Sequence, residues 1–164
     1  MGDLAAELVV RSLVFGVIDP VALGQNHGKQ LPLHVTLVAA SSHPAHLLCA
    51  IDDAVHRVAG QWRPFDAVGV GDALFGSARE GRVQRLSSGE LYRLHVELCA
   101  VLAALSPQVQ LDDAYAGPRY RPHLAEHRGR ALAVSEQVPV GAAALASKQN
   151  DSCVTGPVAT FGLG

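Results

Sequence analysis

Residues 8–18 (LVVRSLVFGVI) form an almost unbroken apolar run, rich in β-branched side chains and closed by Asp19-Pro20. That pattern predicts a buried strand ending in a turn. After a polar loop over 24–30, residues 33–39 (LHVTLVA) alternate. Leu33, Val35 and Leu37 fall on one face, and His34, Thr36 and Val38 on the other. Ser42 and Pro44 then announce a helix, with a hydroxyl near the cap and proline in the first turn. Leu47, Leu48, Ile51, Ala54, Val55 and Val58 carry it at helical spacing to about Gly60. Residues 65–70 predict a short strand, the glycines at 69, 71 and 76 a loop after it, and residues 82–86 another strand. Ser87 and Glu90 read as a capping box ahead of a second helix built on Leu91, Leu94, Leu98, Val101, Leu102 and Leu105 and stopped by Ser106-Pro107. The stretch 108–121 is turn-rich, and 122–126, 131–140, 142–147 and 158–163 read as later strands. Two helices, each attached to a group of strands, predict an α+β fold in two similar halves.

Composition narrows the class. The 164 residues suffice for one domain with a proper core, or two small lobes, and 49% hydrophobic against 17% charged residues excludes a long disordered chain. A formal net charge of −2 excludes a strongly basic nucleic-acid coat but leaves room for a small phosphate pocket. The three cysteines, Cys49, Cys99 and Cys153, are odd in number and widely spread, which predicts a reduced, cytoplasmic setting. Asp3 and Glu7 stand where a secretory signal would be basic, and Arg11 interrupts an apolar run too short to span a bilayer. The expectation is a cytoplasmic, monomeric protein with no membrane contact.

The candidate chemistry begins at His34-Val35-Thr36. The period of two sets an imidazole and a hydroxyl side by side on one strand face, where they can serve one phosphate. The three-residue motif arises readily by chance; its company raises it. Tyr120-Arg121-Pro122-His123-Leu124-Ala125 again places a histidine at the head of a strand after a turn, 89 residues on, about half the chain. A pseudo-twofold relating the halves would set His34 and His123 facing each other across a central cleft. Two imidazoles suit in-line phosphoryl chemistry: one takes a proton from the attacking oxygen, the other gives one to the leaving oxygen.

The blocks LPLHVTL, FDAVGVGDALFG, GRVQRL, ELYRLHVELCAVL and YRPHLA, in that order, resemble the two-histidine (2H) phosphoesterase superfamily, and within it the 2′-5′ RNA ligase-like proteins and RNA 2′,3′-cyclic phosphodiesterases. The resemblance spans residues 8–163. It implies a single bilobal domain over 1–164, with two antiparallel sheets around a groove and helices outside. It also implies an H-x-[ST] motif from each lobe and metal-independent work on 2′,3′-cyclic or 2′-5′ phosphodiesters of RNA ends, small oligonucleotides or cyclic nucleotides, with no cofactor. Phage relatives degrade cyclic-nucleotide immune signals. His34 and Thr36 match the first motif. His123 matches the second, but Ala125 stands where Ser or Thr is expected, and alanine cannot donate a hydrogen bond. Tyr120, Arg121 and Arg119 are the nearest replacements in sequence, and the segment carrying Arg79 and Arg82 is a further one.

Other residues read more plainly. His95, four after Leu91, sits on the apolar face of the second helix and is a core histidine. His43 and His46 have HxxH spacing, but beside Pro44 and without a fitting acidic or cysteine ligand they read as helix-start residues, not metal ligands. Arg119, Arg121, Arg128 and Arg130 form either a patch beside the second motif or a solvated face. Two function classes compete with the phosphoesterase: a non-catalytic nucleotide or RNA-end binder with a decayed second motif, and a metal hydrolase using the surplus histidines.

Overall fold

The computed structural model describes residues 8–18, 33–75, 81–125, 133–149 and 152–162. In chain order the elements are β1 (Val9–Val17), β2 (His34–Pro44), a 3-10 turn (Ala45–Leu47), α1 (Leu48–Ala59), β3 (Phe65–Phe75), β4 (Gly81–Ser87) and α2 (Gly89–Leu105). After a second 3-10 turn (Gly117–Arg119) come β5 (His123–Ala125), β6 (Gln137–Val140), β7 (Ala142–Gln149), β8 (Ser152–Thr155) and β9 (Ala159–Thr160). The α+β class is as expected. No helix among the described residues is long and apolar enough to cross a membrane.

The strands make one nine-stranded sheet in the order β6-β3-β4-β5-β2-β1-β7-β8, with β9 on β7, and every described pairing is antiparallel. Two separate sheets related by a twofold, as expected from the sequence, are not what is found. The reason is β5: three residues long, it hydrogen-bonds to β2 on one edge and to β4 on the other, and so joins the two groups of strands. The sheet curls into a half-barrel. Connectivity requires that curl. β6 and β7 lie far apart in strand order yet only Gly141 separates them in the chain, and one residue reaches only about 3.3–3.6 Å.

One face of the sheet packs on both helices. Val35, Leu37 and Val38 of β2, Leu86 of β4 and Leu124 of β5 join Ile51, Val55, Leu91, Leu94, Leu98 and Leu102 in the main core. Leu37 and Val38 both reach it because the β1–β2 register slips between Val14 and Phe15, a bulge that breaks strict alternation. The opposite face carries a smaller cluster of Phe15, Ala144 and Ala146.

Several local expectations shift. β2 continues through Ser42 to Pro44, so His43 belongs to a strand; it is buried, with Nε2 on Ser12 Oγ at 2.9 Å and Nδ1 on the Pro44 carbonyl at 2.9 Å. The helix consequently starts later and has no side-chain cap. The cap of α2 is Ser88, one residue beyond the expected Ser87, and its Oγ accepts from Leu91 N–H at 3.2 Å. β3 runs through the glycines to Phe75, with a register shift at Gly69/Gly71 and φ of +125° at Gly71, a conformation that favours glycine. β8 lies outside the strands expected from the sequence, and β7 extends beyond the expected 142–147.

Gly16 is where backbone crowding shapes the site. It pairs with Val35, and a Cβ built there would lie 2.8 Å from Val35 Cγ1 and 3.2 Å from Val140 Cγ1. Gly16→Ala is expected to destabilise the fold by about 1–3 kcal/mol through overpacking. Urea denaturation checks this, and adding Val35→Ala to Gly16→Ala should recover part of the loss by vacating the space.

Candidate active site

β2 and β5 are direct neighbours, with Val35 opposite Leu124, and both of those side chains point into the core. The period of two therefore turns His34, Thr36 and His123 to the other face. Continuing that antiparallel register sets Thr36 opposite His123 and His34 opposite position 125. The next strand outward adds Arg85, paired with His123, and Val83, paired with position 125. On the other side β1 adds Phe15, paired with Thr36, and Val17, paired with His34. Two rows result: Arg85, His123, Thr36 and Phe15 in one; Val83, His34 and Val17 in the next, in register with backbone position 125. His34 and His123 stand on a diagonal of this lattice, where such neighbours lie roughly 7–8 Å apart and their Cβ atoms somewhat closer. Two imidazoles on such a diagonal can reach one tetrahedral anion. The histidines thus meet as neighbours on one sheet, not from opposite walls of a cleft, because the motif strands pair directly.

The rings are differently held. His123 Nδ1 lies 2.7 Å from the Arg121 carbonyl. A carbonyl only accepts, so Nδ1 carries the proton and the neutral ring keeps its lone pair at Nε2. Burial pushes the His123 pKa below the ordinary imidazole value, partly opposed by that hydrogen bond. A neutral imidazole with its lone pair at Nε2 has the form a general base requires. His34, half-buried, meets the Phe15 ring edge-on at 5.3 Å between centroids, which orients it from the β1 side.

No protein-family model and no curated protein matches the chain. Solved structures do. TT0787 of Thermus thermophilus aligns with a TM-score of 0.61 at 18% identity, over 93% of this chain and 98% of that one. E. coli LigT complexed with 3′-AMP aligns at 0.55 and 11% identity, over 95% of this chain and 100% of LigT. The chain has the LigT fold. E. coli LigT complexed with NADP+ (TM-score 0.53, 13% identity, 95% and 100% coverage) and a structure described as a phosphoesterase (0.52, 15%, 90% and 94%) agree. At the level of fold, the resemblance read from the block order is borne out.

Within this LigT fold, the expected replacements for the missing hydroxyl fall in unequal places. Tyr120 is buried on the helix side, its hydroxyl donating to the Thr36 carbonyl at 2.8 Å. Its ring stacks on His95 at 4.0 Å between centroids, with 5° between planes. It braces the strand under the motif and has no hydroxyl to spare for a ligand, contrary to its expected binding role. Arg121 is exposed but folds back, Nη1 donating to the Pro118 carbonyl at 2.8 Å and to its neighbour Tyr120's carbonyl at 3.1 Å. Arg119 Nη1 donates to the Asp113 carbonyl at 3.4 Å. Arg79, Arg128 and Arg130 lie outside the described residues.

His95 is the core histidine that its helical position indicated. Its Nδ1 donates to the Leu37 carbonyl at 2.6 Å and its Nε2 accepts from Gly117 N–H at 2.9 Å. One neutral tautomer satisfies both. His46 is exposed, and among the described residues no group of three or more His, Cys, Asp or Glu side chains is arranged to hold a metal. Arg85 was not singled out from the sequence. The sequence marks 82–86 only as a strand, and which face Arg85 serves depends on pairing with β5.

Proposed function

We propose that this protein is a phosphodiesterase that opens 2′,3′-cyclic or 2′-5′ phosphodiesters by two-histidine acid–base catalysis, as a single bilobal domain working in the cytoplasm. The observation that carries this reading is the pairing of Val35 with Leu124, which turns His34, Thr36 and His123 to one face of adjacent strands. In hydrolysis of a 2′,3′-cyclic phosphate, His123 Nε2 takes a proton from water as its oxygen attacks phosphorus. The bond from phosphorus to one ribose oxygen breaks in line, and a protonated His34 delivers its proton to that oxygen. The product is a phosphomonoester; the reverse reaction exchanges the two roles. Thr36 Oγ1 donates to a non-bridging oxygen. Ligands of nucleotide type, like the 3′-AMP and NADP+ in the LigT structures, fit the same chemistry.

The discriminating experiment offers 2′,3′-cyclic nucleotides, 2′-5′-linked dinucleotides, and cyclic di- and trinucleotides to the protein in EDTA. Turnover of at least one, falling by roughly 10²–10⁴-fold in His34→Ala, is the expected result. The absence of a donor at Ala125 favours one rival reading, a nucleotide or RNA-end binder; tight binding without turnover would establish it. Activity abolished by chelation would point to a metal hydrolase instead.

A further inference from the structure

We infer that Arg85 supplies the anion-holding group that the second motif lacks at Ala125, and that it grips the phosphate from the β4 side of His123; this rests on the two-histidine reading above. The cross-strand pairing sets Arg85 directly opposite His123, on the face shared by Thr36 and His34. Cβ atoms of such partners stand about 4.5–5.5 Å apart, and an arginine is long enough to bring its guanidinium past the imidazole to the same anion. Arg85 is exposed, and its side chain makes no hydrogen bond or ion pair among the described residues. The nearest carboxylate along β3, Asp72, is in register with Gln84 and so belongs to the other side of β4.

A methyl group at position 125 offers phosphate nothing. A guanidinium one strand over offers a planar fork of N–H donors and a permanent positive charge. Arginines 119 and 121, nearer in sequence, direct Nη1 to backbone carbonyls. The consequence is a site whose affinity for phosphate depends on β4 more than on the second motif's third residue.

The test is titration of inorganic phosphate into 15N- and 13C-labelled protein, following the imidazole Cε1–H signals of His34 and His123, assigned with the His34→Ala and His123→Ala variants. Arg85→Ala is expected to weaken phosphate binding by roughly tenfold to a hundredfold, with the unfolding midpoint unchanged. Arg85→Lys should recover only part, having the charge without the fork. Ala125→Ser added to Arg85→Ala should restore at least half of the lost affinity on a logarithmic scale. Phosphate binding unchanged in Arg85→Ala, or a loss that Ala125→Ser does not repair, overturns the assignment and leaves the two-histidine site standing. Phosphate that moves neither imidazole signal overturns both.

Discussion

His123→Ala is expected to lower kcat on the protein's best cyclic or 2′-5′ phosphodiester by roughly 10²–10⁴-fold, the range for loss of a positioned acid–base group. KM should change far less, because on the proposed mechanism Thr36 and His34 would still hold the anion. The ring's Nδ1 is committed to the Arg121 carbonyl, so the proposed proton transfer would run through Nε2. The pH profile carries a second, independent signature. Burial lowers the His123 pKa, so the ring remains neutral to more acidic pH than a free imidazole of about 6.5. The acid limb of kcat/KM should therefore have its midpoint below that value, with rate falling as pH drops through it. The alkaline limb reports loss of the proton from the acid. In His123→Ala the acid limb should vanish. A wild-type acid limb at or above 6.5, or one that survives the substitution, would remove His123 from the role of base.

The largest expected effect on stability is at His95. His95→Ala is expected to cost about 3–5 kcal/mol, measured by chemical denaturation at pH 7.5. Three losses combine: the Leu37 carbonyl and the Gly117 N–H each lose a buried partner, and the face of Tyr120 loses the ring stacked on it. This one side chain ties α2 to the strand carrying Thr36 and to the turn preceding β5. Burial holds its pKa below that of the unfolded chain. The unfolded state therefore binds the proton more readily, and the stability His95 contributes is fully present above about pH 6.5 and declines as pH falls through the folded pKa. His95→Leu, which keeps much of the volume, should flatten that part of the stability profile while still leaving the two backbone groups unsatisfied. A pH slope near 6 that is identical in both proteins would mean that another group governs it.

Much of this site was legible locally. The alternation through 33–37 already set His34 and Thr36 on the face opposite Leu33, Val35 and Leu37, and it holds in the structure because Val35 and Leu37 are fully buried. The placement of His95 four residues after Leu91 marked it as interior. The block order pointed to the fold that the LigT structures share. Tyr120 shows where proximity in sequence misleads: next to Arg121 and three residues from His123, it turns into the core because the extended segment alternates Tyr120, Pro122 and Leu124 inward. His43 shows the same for a boundary. A proline and a hydroxyl look like a helix start, yet pairing of Val10 with His43 and Val9 with Pro44 prolongs the strand through both.

The chain's own periodicity determined which side chains share a face within each strand and helix, since that follows from backbone geometry over a few residues. It also determined the chemistry on offer: two histidines half a chain apart, one threonine and one alanine where a second hydroxyl is wanted. Only the tertiary structure decided that β5 inserts between β2 and β4, making one curled sheet, that the two motifs are lateral neighbours, and that Arg85 stands beside His123. Those facts depend on which strands pair and in what register. Pairing joins residues distant along the chain, here Val35 with Leu124, and is set by burial of both sheet faces together with the helices, which no local pattern encodes.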